Sequence, residues 1–264
     1  MRPRPAIRPQ DVLAVWRELR SGASVERRLV VAGHPGLAAM LRRELARDGD
    51  ERAVRENGAI HGSAALVYVL AAESGDADVS DLRDAERAGV PSVAVIVELE
   101  DLAIANPPYV LAGHVVRVPS GAGFPVEKVA RVVARAIGGG GSAIAARLPT
   151  LRSAVAEELI RKHSRQNALL GTVTGRSTAA MPLLTFDQVR LVLRIAAAYG
   201  FEIDRSRVPE VLAVVAGGFG LRGAARGAIR LVPFSGWAVR GGVAYGGTRA
   251  IGEVAKRYFE ARAV

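Results

Sequence analysis

The chain contains no cysteine, so neither a disulfide framework nor a thiolate metal site is available to it. Its four histidines, His34, His61, His114 and His163, are far apart and lack ligand spacing, so the sequence offers no metal site. Lysine is nearly missing as well: Lys128, Lys162 and Lys256 are the only ones, and arginine carries almost all the positive charge. Aromatic residues make up 5% of the chain, and the second half offers few exposed-looking ones for base stacking and no recognisable nucleic-acid module, which makes nucleic acid a less favoured partner. There is no G-x-S-x-G elbow and no H-E-x-x-H pair, so serine-hydrolase and zinc-protease chemistry have no starting point. The opening "MRPRPAIRPQDVLAVWREL" lacks the apolar core and small-residue cleavage site of a secretory signal, which leads us to expect a cytoplasmic protein.

What is present is an apolar chain of 264 residues, half of it hydrophobic, enough for a substantial core. The formal charge of +10 is unevenly placed. Residues 1–140 hold 18 basic and 18 acidic side chains, whereas 141–264 hold 18 basic and 8 acidic, so the entire excess falls in the second half. A basic half calls for an anionic partner: a membrane surface, an acidic protein or, less favoured here, a nucleic acid.

Periodicity divides the chain at the same place. After a short helix that opens at Pro9, "RRLVVAG" reads as a strand, and "GLAAMLRRELARDGD" as a helix with Leu37, Met40, Leu41 and Leu45 on one face and a glycine stop. "AALVYVLA" and "PSVAVIVEL" are continuous apolar runs of buried-strand length, separated by the helix "VSDLRDAERAG". "HVVRVPS" and "PVEKVARVVARAI" add another strand and helix. Strands alternating with helices predict an α/β domain over 1–140 with a doubly wound, mostly parallel sheet. The run "GGGGSA" at 138–143 is a candidate linker. Beyond it only helices are expected, at about 149–170, 185–199, 206–231 and 235–262, which makes 141–264 an all-α, glycine-rich domain. The carboxylate cluster "ESGDADVSD" reads as a solvated polar loop.

The first strand, turn and helix are arranged like a phosphate-binding loop. In the pattern G-x-x-x-x-G-K-[ST], Gly33 takes the first glycine, but Ala38, Ala39 and Met40 fall on the second glycine, the lysine and the hydroxyl. Using Gly36 as the second glycine puts Leu37 and Ala38 on the chemical positions, so no register restores them. What is left is a helix N-terminus, worth ~0.3–1 kcal/mol to an anion at an exposed site. Micromolar affinity requires about 8 kcal/mol.

The order of elements resembles a bacterial small GTPase domain of the Era-like kind, over residues 26–138, followed by a YcjF-like helical domain over 180–260. In "VAVIVELED", Asp101 matches the aspartate of the guanine-reading N-K-x-D, with Glu98 and Leu99 in place of asparagine and lysine. "VPSGAGF" resembles the S-A-K loop, keeping Ser120 but having Gly121 and Ala122. No D-x-x-G precedes "AALVYVLA". "RIAAAYG", with Arg194, Ile195, Ala196, Tyr199 and Gly200, and the glycine-rich stretch through "GGVAYGGTRAIGEVAKRYFE" resemble the helical family. The resemblance implies a P-loop GTPase fold with a vestigial nucleotide site at Gly33, His34, Gly36 and Asp101, no cofactor and no catalysis, and a helical half associated with membranes. The alternatives are a GTP-binding protein with an atypical loop and a nucleic-acid binder.

In the helical half, Ala216, Gly220, Ala224 and Ala228, and then Ala238, Gly242, Gly246 and Ala250, recur every fourth residue. The expected result is a pair of smooth-faced helices broken at Pro233, which could also self-associate. The longest uncharged run in the hairpin, 211–221, is too short to span a bilayer, which needs about 20 residues. Arg222, Arg226 and Arg230 share a helical face and, with Trp237 and Arg240, are the candidate contacts to an anionic membrane surface. Two expectations stand side by side: peripheral attachment to the inner face of the membrane, or a solvated basic face on a soluble helical bundle.

Overall fold

The computed structural model describes residues 27–98, 104–173, 180–201 and 237–263. The helix expected from Pro9 and the segment 206–231 lie outside these residues. Described residues up to Glu158 make one compact unit and those from Leu159 a second.

The first unit is built on a five-stranded sheet in the order β2-β1-β3-β4-β5, every pair parallel. The strands are β1 (Leu29–Gly33), β2 (Val54–Glu56), β3 (Ala65–Leu70), β4 (Ser92–Glu98) and β5 (Val115–Pro119). Helices α1 (Pro35–Ala46), α2 (Asp76–Arg87) and α3 (Val126–Ile137) flank it. All six residues of β3 are buried, because successive side chains enter cores on opposite faces of the sheet. On one face Val30, Ala32, Leu66, Tyr68, Ala94 and Ile96 pack with Leu82 and Ala85 of α2. The alternate residues Leu29, Val31, Val67, Val69, Val93 and Val95 are also buried, on the side of α1 and α3.

Three expectations need correcting. In α1 the buried set is Ala38, Leu41, Leu45 and Ala46, while Met40 is 54% exposed, since the sheet side of this helix is covered one residue away from it. Strand β2 was not foreseen: "VRE" buries only Val54 and pairs as an edge, so it has no apolar alternation to read. The glycine run is not a loose linker. Gly138–Gly140 forms a 3₁₀ turn, Ser142–Arg147 forms helix α4, and a Cβ on Gly141 would lie 3.1 Å from Val155 Cγ2. The loop after α1 clasps this segment. Asp50 N–H donates to Arg147 O at 2.9 Å, Arg147 Nη2 reaches Asp50 Oδ2 at 2.8 Å, and Thr150 Oγ1 donates to Leu45 O at 2.6 Å. A Cβ on Gly49 would come within 2.7 Å of Arg147 O, so the glycine expected merely to stop α1 provides this close approach.

Helix α5 (Pro149–Val173) begins in this unit and continues into the second, which also contains α6 (Ala180–Ala198) and α7 (Trp237–Glu260). The described residues of this second unit are helical or in turns, without strands. Helices α6 and α7 pack on each other, and α7 turns Gly241, Ala244, Thr248, Ile251, Ala255 and Phe259 inward. A Cβ on Gly241 would sit 2.8 Å from Thr172 Cγ2, and one on Gly252 2.6 Å from Ile160 Cγ1. Of the expected small-residue series, Gly242 and Gly246 are exposed, and a Cβ at either would meet nothing within 4 Å. The reason is angular. At 3.6 residues per turn a four-residue repeat drifts about 40° at each step, whereas alternating steps of three and four keep to one face.

Candidate functional site

The chain passes from β1 outward to β2 and then returns to β3 on the other side of β1. The carboxyl ends of β1 and β3 are thus the point where strand order reverses, and open α/β sheets bind ligands in the crevice at such a point. Gly33, His34 and Gly36 lie there, between β1 and α1.

Their geometry is that of a packed turn. Gly33 has φ +100°, and a Cβ on it would overlap the Val69 carbonyl oxygen and lie 2.9 Å from Val69 N. The His34 N–H donates to that same carbonyl at 2.9 Å, so an amide that could face an anion is spent on β3. Pro35 has no N–H, and that of Ala38 donates to His34 O at 2.8 Å, which leaves the amides of Gly36 and Leu37 at the mouth of α1. His34, the N-cap residue, makes no side-chain cap and is exposed. Arg42, the nearest arginine along α1, lies 3.8 Å from Glu56.

The carboxyl ends of β4 and β5 are joined by an ion pair. Arg117 Nη1 of β5 donates to Glu98 Oε1 of β4 at 2.7 Å, and its Nη2 donates to Ile104 O at 3.0 Å and Asn106 Oδ1 at 2.8 Å. Glu73, after β3, accepts from Ala105 N–H at 3.0 Å, so the loop through 104–106 is held from both directions. Asp101 lies outside the described residues. Ser120 is fixed by its backbone, its N–H donating to Glu98 O at 2.8 Å.

No family model matches this chain, and neither does any curated protein or solved structure.

The acidic cluster that reads as a polar loop instead forms the first turns of α2. Asp78 Oδ2 accepts from Gly75 N–H at 2.9 Å and caps the helix, a carboxylate at the positive end of the dipole. Asp78 Oδ1 and Asp81 Oδ2 then lie 2.8 and 3.1 Å from the hydroxyl of Tyr68, a side chain buried in the sheet. Burial first, and then the hydrogen bond and charge of Asp78 with those of Asp81, hold the phenol protonated well above its ordinary range. The helical i, i+3 spacing of the two aspartates was visible in the sequence; the tyrosine between them was not.

Of the candidate membrane contacts, Arg222, Arg226 and Arg230 lie outside the described residues. Trp237 and Arg240 are placed in the first turn of α7, their side chains outside the description. The described interior of the helical unit is unexpectedly polar. His163 Nδ1 lies 2.9 Å from both carboxylate oxygens of Asp187, and the Thr248 hydroxyl accepts from Asn167 Nδ2 at 2.9 Å and Gln188 Nε2 at 3.2 Å. Burial, with the neighbouring Arg190, lowers the pKa of Arg194, against the opposing pull of Asp187. These contacts join α5, α6 and α7 through side chains whose polarity gave no hint of burial in the sequence.

Proposed function

We propose that this chain is a non-catalytic, GTPase-like protein, its α/β unit a P-loop relic and its basic helical half a module that attaches to an anionic membrane surface. One observation supports the first part: the turn between β1 and α1 is packed against β3 and offers an anion little to bind. The Val69 carbonyl takes the His34 amide, and neither a lysine nor a hydroxyl is available at Ala39 and Met40. Two remaining amides and a helix dipole are worth ~0.3–1 kcal/mol to an anion, far from the ~8 kcal/mol of a micromolar complex. At the ends of β4 and β5, Glu98, which stands in the N-K-x-D-like stretch, is paired with Arg117 and so is not left for a ligand.

The second part is supported by the +10 charge confined to residues 141–264 and by length: no helix among the described residues is long and apolar enough to cross a membrane. Attachment of this kind is electrostatic at its outset, each basic residue near an anionic surface contributing ~1 kcal/mol. Titration calorimetry with Mg²⁺ and GTP should give no dissociation constant below about 10 μM. Tighter binding would favour the GTP-binding alternative. Replacing Arg222, Arg226 and Arg230 together with glutamine should weaken sedimentation with phosphatidylserine vesicles by about a hundredfold at low salt. Retention on DNA with no affinity for vesicles would favour a nucleic-acid partner instead.

A further inference from the structure

Apolar side chains are exposed where α5 ends and α6 begins. Leu169 is 67% exposed and Leu170 36%, both in the last turns of α5, while Leu183 is 58% and Phe186 37% exposed, in the first turns of α6. The contact between His163 and Asp187, with only six residues linking the two helices, makes α5 and α6 an antiparallel pair. From that contact Leu169 lies about 9 Å and Leu183 about 6 Å further toward the connection, at 1.5 Å per residue. Leu169, Leu170 and Leu183 therefore lie toward the connected end, or tip, of the pair, with Phe186 near the level of the contact. The exposed face of α5 leading to this tip carries Lys162 and Arg165.

Charge selects the partner. From Leu159 through Phe186 there is no acidic residue, while Arg161, Lys162 and Arg165 on α5 are all basic. Asp187, the first carboxylate after this stretch, is turned toward His163. An apolar tip with a basic collar fits a layer that is anionic at its surface and apolar just below, as interfacial helices do. An acidic protein would be served by the collar but not by four exposed apolar side chains.

Resting on the reading of the helical half as a membrane module, we infer that the α5–α6 tip is the part that enters the bilayer interface, Leu169 and Leu183 reaching the acyl boundary while Lys162 and Arg165 stay among anionic headgroups.

The test is co-sedimentation of the full chain with vesicles of phosphatidylcholine alone or containing phosphatidylserine. The double variant Leu169→Ser, Leu183→Ser should lose about a hundredfold in partitioning, tenfold for each leucine withdrawn. Lys162→Gln with Arg165→Gln should lose about thirtyfold at low salt and little at high salt. Met40→Ser, an exposed apolar residue of the α/β unit, should leave partitioning unchanged, and circular dichroism of each variant should match the wild type. If the wild type binds anionic vesicles and the leucine variant binds equally well, the tip is not the inserting element, although the membrane reading stands. If the wild type ignores anionic vesicles, that reading fails and this inference fails with it. If the leucine substitutions change the oligomeric state by light scattering while vesicle binding is untouched, the tip joins two copies of the chain and the inference is overturned.

Discussion

Two glycines three residues apart, Gly33 and Gly36, should respond oppositely to alanine. At Gly33 the backbone has φ +100°, where a side chain costs ~1–3 kcal/mol, and the new methyl would overlap the Val69 carbonyl. Relief requires β1 and β3 to separate at their ends, with loss of the His34–Val69 hydrogen bond, a further ~0.5–1.5 kcal/mol. Gly33→Ala should therefore cost the α/β unit about 2–4 kcal/mol, a large share of the ~5–15 kcal/mol that holds a domain together. At Gly36 a Cβ would find only His34 Cε1, at 4.0 Å, within the first turn of α1. Gly36→Ala should be neutral or stabilise by up to ~0.5–1 kcal/mol through helix propensity. Hydrogen exchange of the β3 amides, followed by mass spectrometry, isolates this unit from the helical one: exchange should rise sharply in the first variant and not in the second. A Gly33→Ala protein that protects β3 as well as the wild type would refute the packed-turn reading. So would a Gly36→Ala protein that is the less stable of the two, since that would place the constraint where a phosphate loop needs open backbone.

Tyr68→Phe should destabilise the α/β unit by ~1–3 kcal/mol in urea, because Asp78 and Asp81 lose the hydroxyl they share. In the wild type the unfolded chain releases the Tyr68 proton near pH ~10 while the folded protein keeps it. That contribution is full below this pH and is lost as pH rises, so the wild type should weaken more steeply in alkali than the phenylalanine variant. Arg147 beside Asp50 lowers the Asp50 pKa from its usual 3.8, so its contribution is present above that pH and lost as pH falls through the folded value. Asp50→Asn should accordingly flatten the acid limb of the α/β unit's stability curve, and an unchanged limb would show that the clasp on Arg147 adds nothing. In the helical unit Thr248→Val should cost ~1–3 kcal/mol by thermal unfolding, since it removes the buried acceptor shared by Asn167 and Gln188. A stabilised variant would mean that an apolar contact there outweighs the hydrogen bonds.

By itself the sequence determined the features that depend on local pattern. "AALVYVLA" and "PSVAVIVEL" had to become buried strands, because an uninterrupted apolar run is stable only where both faces of a sheet are covered. The missing lysine and hydroxyl after Gly33 were likewise final, since no fold can restore an absent functional group. Tertiary structure decided what depends on neighbours distant in the chain. Which side of α1 is buried turned on the sheet beneath it, exposing Met40 and burying Ala38. The glycines at 138–141 read as a linker until Val155 and the Asp50–Arg147 clasp gave them something to pack against. Asp78 and Asp81 looked solvated until Tyr68 met them from another element, and the polar side chains of His163, Asn167 and Gln188 are buried only because α5, α6 and α7 enclose them. Periodicity reports one element's preference for apolar surroundings, but a polar group is stable in the interior only if another element brings it a partner, and that pairing is set in three dimensions.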